Sequence, residues 1–166
     1  MKALIFHIGA DRYGVPLRAL VRVLPLVELK QLPLAPAYVA GLMDFHGQPV
    51  PVIDLCRLAG VAEANDDFDT RILVVDYVAP DGSAHLLGLL AEHVRGTQEI
   101  ADRSLSNAGV TAAPFLGQVA SDSEGMIQLV ELAYLLTAQL RALLFQTAPM
   151  VHEDTRENTS NIGGAT

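Results

Sequence analysis

The chain has 166 residues, 51% of them hydrophobic and only 18% charged, with a mean hydropathy of +0.32; this is the length of one folded domain, and a second catalytic or receiver domain has no room. Eleven basic against nineteen acidic residues give a formal net charge of -8, with no Trp and 5% aromatics, which excludes a nucleic-acid-binding module because phosphate recognition needs concentrated positive charge. The single cysteine, Cys56, excludes an intrachain disulfide and points to a reducing compartment, by default the cytoplasm.

Residues 1–60 carry six basic and four acidic residues, and the rest of the chain five and fifteen. So little charge leaves apolar surface uncovered, and composition therefore leans towards binding a partner. The first eight residues are apolar after Lys2 but lack a long hydrophobic run and a small-residue cleavage site before Asp11 and Arg12, so they read as a strand and not as a leader.

Short segments rich in Val, Ile, Leu and Tyr recur between turn signals and predict strands over 3–8, 12–16, 20–27, 42–45, 48–53, 71–79, 84–91 and 126–130, the pattern of an all-β sandwich or barrel. Gly9-Ala10-Asp11-Arg12 and Ala79-Pro80-Asp81-Gly82-Ser83 have the turn chemistry of hairpin loops. Alternation within Leu20-Val21-Arg22-Val23-Leu24 puts Leu20, Arg22 and Leu24 on one face and the two valines on the other. Short helices are predicted over 36–40, which opens on a proline, and over 54–60, which opens on Asp54 and ends at Gly60. Leu132, Leu135, Leu136, Leu140, Leu143 and Leu144 recur at helical spacing and predict one amphipathic helix over 131–145. Residues 104–121 hold no charge but contain Asn, Gly and Pro, so they read as a loop with strand pieces, 62–69 as an acidic loop, and 146–166 as a disordered polar tail.

Enzyme chemistry finds no support. There is no Gly-x-Ser-x-Gly, and Cys56 lies on the apolar pattern of a short helix, which is the setting of a buried structural thiol. His7, His46, His85, His93 and His152 show no ligand spacing, so no metal site is expected. The glycines are scattered among turns and form no phosphate loop. Glu92 and His93 are adjacent in a strand and should point to opposite faces, one inside and one solvated. No cofactor is expected.

One stretch stands out. Residues 41–55 read as strand, tight turn at His46-Gly47, strand and helix cap, with Pro49 and Pro51 removing two amide donors from the same strand edge. That edge must face solvent or a partner. The motifs Phe6-x-Ile8-Gly9-x-x-x-Tyr13-Gly14-Val15, Leu32-Pro33-x-x-Pro36-x-Tyr38-Val39-x-Gly41 and Gly47-x-x-Val50-Pro51-Val52-Ile53-Asp54-Leu55 together resemble the CheW-like coupling domain of bacterial chemotaxis. The resemblance continues through Arg71-Ile72-Leu73-Val74-Val75, Leu87-Gly88-Leu89-x-x-Glu92-x-Val94 and Met126-Ile127-x-Leu129-Val130, and covers residues 3 to about 145.

The resemblance implies a mainly β fold: two small five-stranded SH3-like barrels packed together within 1–145, with short helices and one C-terminal amphipathic helix. It implies a non-enzymatic adaptor, cytoplasmic and held at receptor arrays near the inner membrane without inserting. Its partners would be the cytoplasmic tip of methyl-accepting receptors and the regulatory domain of a CheA-type histidine kinase. The family's contact positions fall on Leu20, Arg22, Gly41, Asp44, His46, Gly47, Ile72, Leu73 and Val94. Three positions depart from the family pattern. Its hairpin usually reads Asn-Leu-Arg-Gly and here reads Asp44-Phe45-His46-Gly47; an acidic residue is common where Arg22 stands; its Val-Asp-x-Val is here Ala91-Glu92-x-Val94. Residues 114–122 together with Leu24-Pro25-Leu26-Val27 look like coupling proteins of Wsp-type surface-sensing systems, whose output is cyclic di-GMP synthesis. The alternative reading is a small-ligand-binding β-barrel, its cavity between the two lobes and His46 or His85 as polar anchors.

Overall fold

The computed structural model describes residues 1–61, 69–109 and 112–145. The tail expected over 146–166, and all but Asp69 of the acidic loop expected over 62–69, lie outside the described residues. The strands in chain order are β1 (Lys2–Ile8), β2 (Asp11–Pro16), β3 (Leu20–Leu24), β4 (Val39–Phe45), β5 (Gln48–Asp54), β6 (Arg71–Val78), β7 (Ala84–Glu99), β8 (Leu116–Asp122) and β9 (Gly125–Val130). The helices are α1 (Leu55–Leu58) and α2 (Ala138–Leu144).

β7 organises the fold, because it belongs to two sheets. Its first half, 84–91, pairs antiparallel with β6 and, over Gly88–Leu90, parallel with β5; its second half pairs with β1. One sheet therefore runs β7-β1-β2-β9-β8 and the other β3-β6-β7-β5-β4, five strands each with β7 counted in both. The largest core lies between them: Leu4, Phe6, Ile8 and Val15 of the first sheet meet Ile53, Leu73, Val75, Tyr77, Leu87 and Leu89 of the second. Each sheet also covers its far face, with Ala3, Ala120, Ile127 and Leu129 in one small cluster and Met43, Val50, Val52, Ile72 and Val74 in another. Strands covered on both faces carry unbroken apolar runs, as β6 does in Ile72-Leu73-Val74-Val75.

Several expected elements change. The helix expected over 36–40 is a turn, closed by the Val39 N–H on the Pro36 carbonyl at 2.9 Å; Val39 already pairs with Ile53, and sheet pairing overrides the local helix signal. The strand expected over 20–27 stops at Leu24, ahead of Pro25, which has no amide to donate. The strand expected over 84–91 runs to Glu99; the polar residues beyond Ala91 hid it. The segment read as a loop over 104–121 contains β8, whose hairpin with β9 closes between Asp122 and Gly125. The amphipathic helix expected over 131–145 is broken in two: Leu132–Tyr134 forms a 3-10 turn, and α2 starts afresh where the Thr137 hydroxyl caps the Leu140 N–H at 3.1 Å. The helix expected over 54–60 forms as the shorter α1, with the Asp54 carboxylate accepting from the Cys56 and Arg57 amides at 3.0 and 3.2 Å.

Candidate functional site

The nine positions singled out by sequence fall into three places. Leu20, Arg22, Ile72 and Leu73 lie on the β3–β6 pair, Gly41, Asp44, His46 and Gly47 on the β4–β5 hairpin, and Val94 on β7. β3 and β4 are the two ends of the strand order in their sheet. They are brought towards one core by the segment between them: the Lys30 amide and carbonyl bond Leu42 at 2.9 and 2.8 Å, and Leu24, Leu26, Leu29 and Phe45 all pack on the Met43–Val50–Ile72 cluster.

On β3 the expected facing is corrected. Leu20 pairs with Val75 but Arg22 pairs with Val74, so the strand bulges at Val21 and the alternation resets. Residues directly paired across a sheet share a face. Leu20 therefore lies with Val75 on the central core, whereas Arg22 lies with Leu24 on the opposite face. Arg22 is exposed, and its chain neighbours Val21 and Val23 are 42% and 39% exposed, Val23 being paired with Leu73 and therefore on the face opposite Arg22. Ile72 and Leu73 have 0% exposure and face the two cores. They support β3 from behind and cannot touch a partner in this conformation.

At the hairpin tip His46 and Gly47 both have positive φ, 52° and 82°, the backbone of a type I′ turn. The Asp44 carboxylate accepts the Gly47 N–H at 2.7 Å and fixes the turn, while the His46 ring lies edge-on to Phe45 at 4.6 Å between centroids. Asp44, His46 and Gly47 are exposed, and a Cβ built on Gly47 meets nothing within 4 Å. Gly41 differs. It is buried with φ 149°, and a Cβ there would stand 2.5 Å from the Lys30 carbonyl oxygen. Its role is to let the 25–30 segment close on β4. Val94 is half-buried against the central core.

The edge left open by Pro49 and Pro51 borders a groove. β5 pairs with β7 only over Val52–Asp54, and before that the two strands diverge around a cavity of about 660 Å³ lined by Leu42, Gln48, Pro49, Pro51, Asp76, His85, Leu86 and Phe145 among others. The His85 ring stacks on Phe145 at 4.1 Å with planes 9° apart. The cavity of the ligand-binding alternative was expected between the lobes, but that space is packed by the central core; the groove opens beside the second sheet and α2, and its lining includes His85 but not His46. Sequence reasoning missed the groove because it depends on Phe145 returning to β7, a contact without a local signal.

Reactive chemistry is quenched where it was sought. The Cys56 thiol is buried and donates to the Glu92 carboxylate at 3.2 Å; burial, followed by that carboxylate, pushes its pKa up to about 12. Glu92 points inward and His93 stays partly exposed, as expected for adjacent strand residues. Among the described residues no three metal-ligating side chains gather, and no helix is long and apolar enough to cross a membrane.

Residues 2–140 match the CheW-like domain family. The chain is 34% identical over 144 residues to the protein FrzA of Myxococcus xanthus, covering 83% of this chain and 87% of that protein. It is 26% identical over 151 residues to the chemotaxis protein CheW of Klebsiella aerogenes, covering 87% of each. The crystal structure of the scaffolding protein TtCheW from Thermoanaerobacter tengcongensis superposes with a TM-score of 0.72 at 23% identity, over 82% of this chain and 87% of that one, and shows the same fold. With residues 2–140 matched by the family and the fold shared with a CheW scaffolding protein, the chain belongs to the CheW-like domain family.

Proposed function

We propose that this chain is a non-enzymatic adaptor that couples methyl-accepting receptors to a CheA-type histidine kinase in a chemotaxis-type signalling pathway. The family match over residues 2–140 carries this reading. The surface supports it: an edge strand exposes Arg22 together with its chain neighbours Val21 and Val23, and the Asp44–Gly47 turn belongs to the same sheet. Apolar side chains rimmed by one charge suit a protein interface, where a snorkelling arginine lends its stem to the contact. The adaptor works in the cytoplasm at receptor arrays beside the inner membrane, binds the receptor tip and the kinase regulatory domain, and needs no cofactor, nucleic acid or membrane insertion.

Arg22 stands where the family commonly has an acidic residue, so the partner surfaces carry matching changes, as in a Wsp-type array with its own receptor and kinase. The coupling domain ends at Phe145. Removing residues 146–166 leaves the melting midpoint and kinase binding unchanged; a large loss of either would show that the tail docks.

The test is reconstitution: the purified chain is titrated into the kinase encoded beside it and the matching receptor in bilayer discs, and autophosphorylation is followed. Stimulation that requires all three components is expected. No binding to either partner would overturn the proposal, as would a metabolite that saturably raises the melting temperature while protein partners have no effect.

A further inference from the structure

The point where β7 leaves one sheet and enters the other is irregular. β1 pairs Ile5 with Gly96 and His7 with Glu92, so three residues of β7, His93, Val94 and Arg95, stand opposite the single residue Phe6. His93 takes a left-handed φ of 51°, a conformation that side chains other than glycine rarely adopt. Such outliers persist only where the surroundings hold them, and they gather at functional or switching positions.

Two sets of contacts hold this bulge. Asp69 fills it from the side: its carbonyl accepts the Val94 N–H at 3.0 Å, and its carboxylate meets His93 Nδ1 at 3.2 Å and Arg95 Nε at 3.4 Å. From β1, the His7 ring packs edge to face on the His93 ring, with centroids 5.1 Å apart and planes 65° apart. Within the bulge, where the backbone pairing is interrupted, the His7–His93 ring contact spans the two strands beside the Asp69 carboxylate.

We propose that the His7–His93 pair is a proton-sensitive latch on the strand crossing: the rings hold β1 on β7 while His7 is neutral, and a proton on each ring breaks the contact and loosens the junction between the two sheets. The groups around the pair make the second proton unfavourable. On β7 lie His93 and Arg95; on β2, Arg12 pairs directly across from His7; among the described residues the carboxylate that favours a charged His7 is Asp69, already shared by His93 and Arg95. Glu92, across from His7 on β7, is buried and accepts from Cys56. Burial, followed by the charges of His93, Arg95 and Arg12, holds His7 below the ordinary imidazole range, and Asp69 only partly opposes them. The sign follows. A histidine whose pKa falls on folding binds more protons when unfolded, so its contribution is fully present above its ordinary 6.5 and is lost as pH falls towards its folded value. The latch stands on this geometry and does not depend on the coupling function.

Hydrogen exchange of the full chain at pH 7.5 and 5.5, corrected for intrinsic rates, reads the junction. Protection of β1 and of residues 92–99 in the wild type is expected to fall by about tenfold relative to the β6–β7 hairpin, and by less than about twofold in His7→Gln. An equal fall in both proteins would overturn the proposal. Should His7→Gln fail to fold, the ring proton resonances of the wild type and of His93→Gln decide: removing His93 must raise the midpoint of His7 titration, and an unchanged midpoint refutes the latch.

Discussion

Gly41 and Gly47 both sit in the candidate site with positive φ, yet the structure assigns them different roles, and alanine at each position separates the two. At Gly47 the added methyl meets nothing within 4 Å, so the cost is the left-handed backbone alone, about 1–2 kcal/mol. At Gly41 the φ of 149° is itself hostile to a side chain, and about 1–3 kcal/mol of strain comes first. The methyl would then lie 2.5 Å from the Lys30 carbonyl, a backbone atom that must retreat. Retreat stretches the two hydrogen bonds joining Lys30 to Leu42, each worth about 1 kcal/mol net. The total for Gly41→Ala is roughly 3–5 kcal/mol, a large share of the 5–15 kcal/mol that holds a typical domain together. Urea unfolding followed by far-UV circular dichroism measures both; a shift of midpoint at constant slope would confirm a loss of stability. Equal losses at the two glycines, or a loss below about 1 kcal/mol at Gly41, would refute the close-approach argument. Binding separates them in the other direction: Gly47→Ala stays folded, so any loss of kinase or receptor affinity there reports contact at the hairpin tip.

Three further outcomes follow from side-chain geometry. Arg22→Glu should leave folding unchanged, because Arg22 is exposed, and should weaken partner binding by about 2–5 kcal/mol if the guanidinium is desolvated in the complex and far less at a rim; unchanged affinity for kinase and receptor at low and moderate salt would return Arg22 to a solvated edge. Cys56, with its pKa pushed up to about 12 from an ordinary 9.0, should react with a thiol reagent at pH 8 roughly a thousandfold more slowly than in the unfolded chain, and rapid labelling of native protein would contradict its burial. Arg12 binds the Asp122 carboxylate through two contacts of 2.8 Å, with Gln98 and the Glu124 amide adding to it, and this holds Asp122 far below the ordinary 3.8. Its contribution is fully present above that value and is lost as pH falls towards the depressed folded value, so the gap in melting temperature between wild type and Asp122→Asn should narrow steadily on acidification below pH 4; a constant gap would refute the pairing.

How much of this was legible in the sequence depends on whether a signal was local. The Asp54 cap and the Ala79–Ser83 turn act within a few residues, and both were readable. The Pro49/Pro51 edge was readable because proline removes a donor wherever it stands, and that edge does lie unpaired. β8 was hidden by its small and polar residues although its partner β9 follows across a short turn, and the second half of β7 was hidden because its residues are polar and its partner, β1, is distant in sequence. The leucines of 131–145 keep helical spacing across a chain that bends at Leu135–Thr137, since spacing records which residues are buried and not how the backbone connects them. At the site, residue identity carried the hairpin turn, but the bulge at Val21 reversed the facing of Arg22 relative to Leu20, and a one-residue bulge leaves no trace in an alternating sequence. Ile72 and Leu73 were placed among contact positions by resemblance, and only packing shows that they act from inside.

The apolar composition also has a different meaning once the layers are known. A chain 51% hydrophobic and 18% charged suggests a large uncovered surface. Here, however, both faces of both sheets are covered, and the two sheets and their three clusters absorb the surplus. What remains outside is selective. Of the large hydrophobic residues exposed among the described ones, Val21, Val23 and Val27 fall within seven residues of chain on and just after the β3 edge, whereas Leu34, Val61, Val78, Met126, Tyr134 and Leu143 are spread over the rest of the chain. A strand edge that is apolar, ends at a proline and carries one arginine is an attachment surface with a built-in limit on indiscriminate strand pairing. If the coupling surface lies at this edge of the second sheet, as proposed, the partner that fits it brings apolar side chains with a carboxylate placed to meet Arg22.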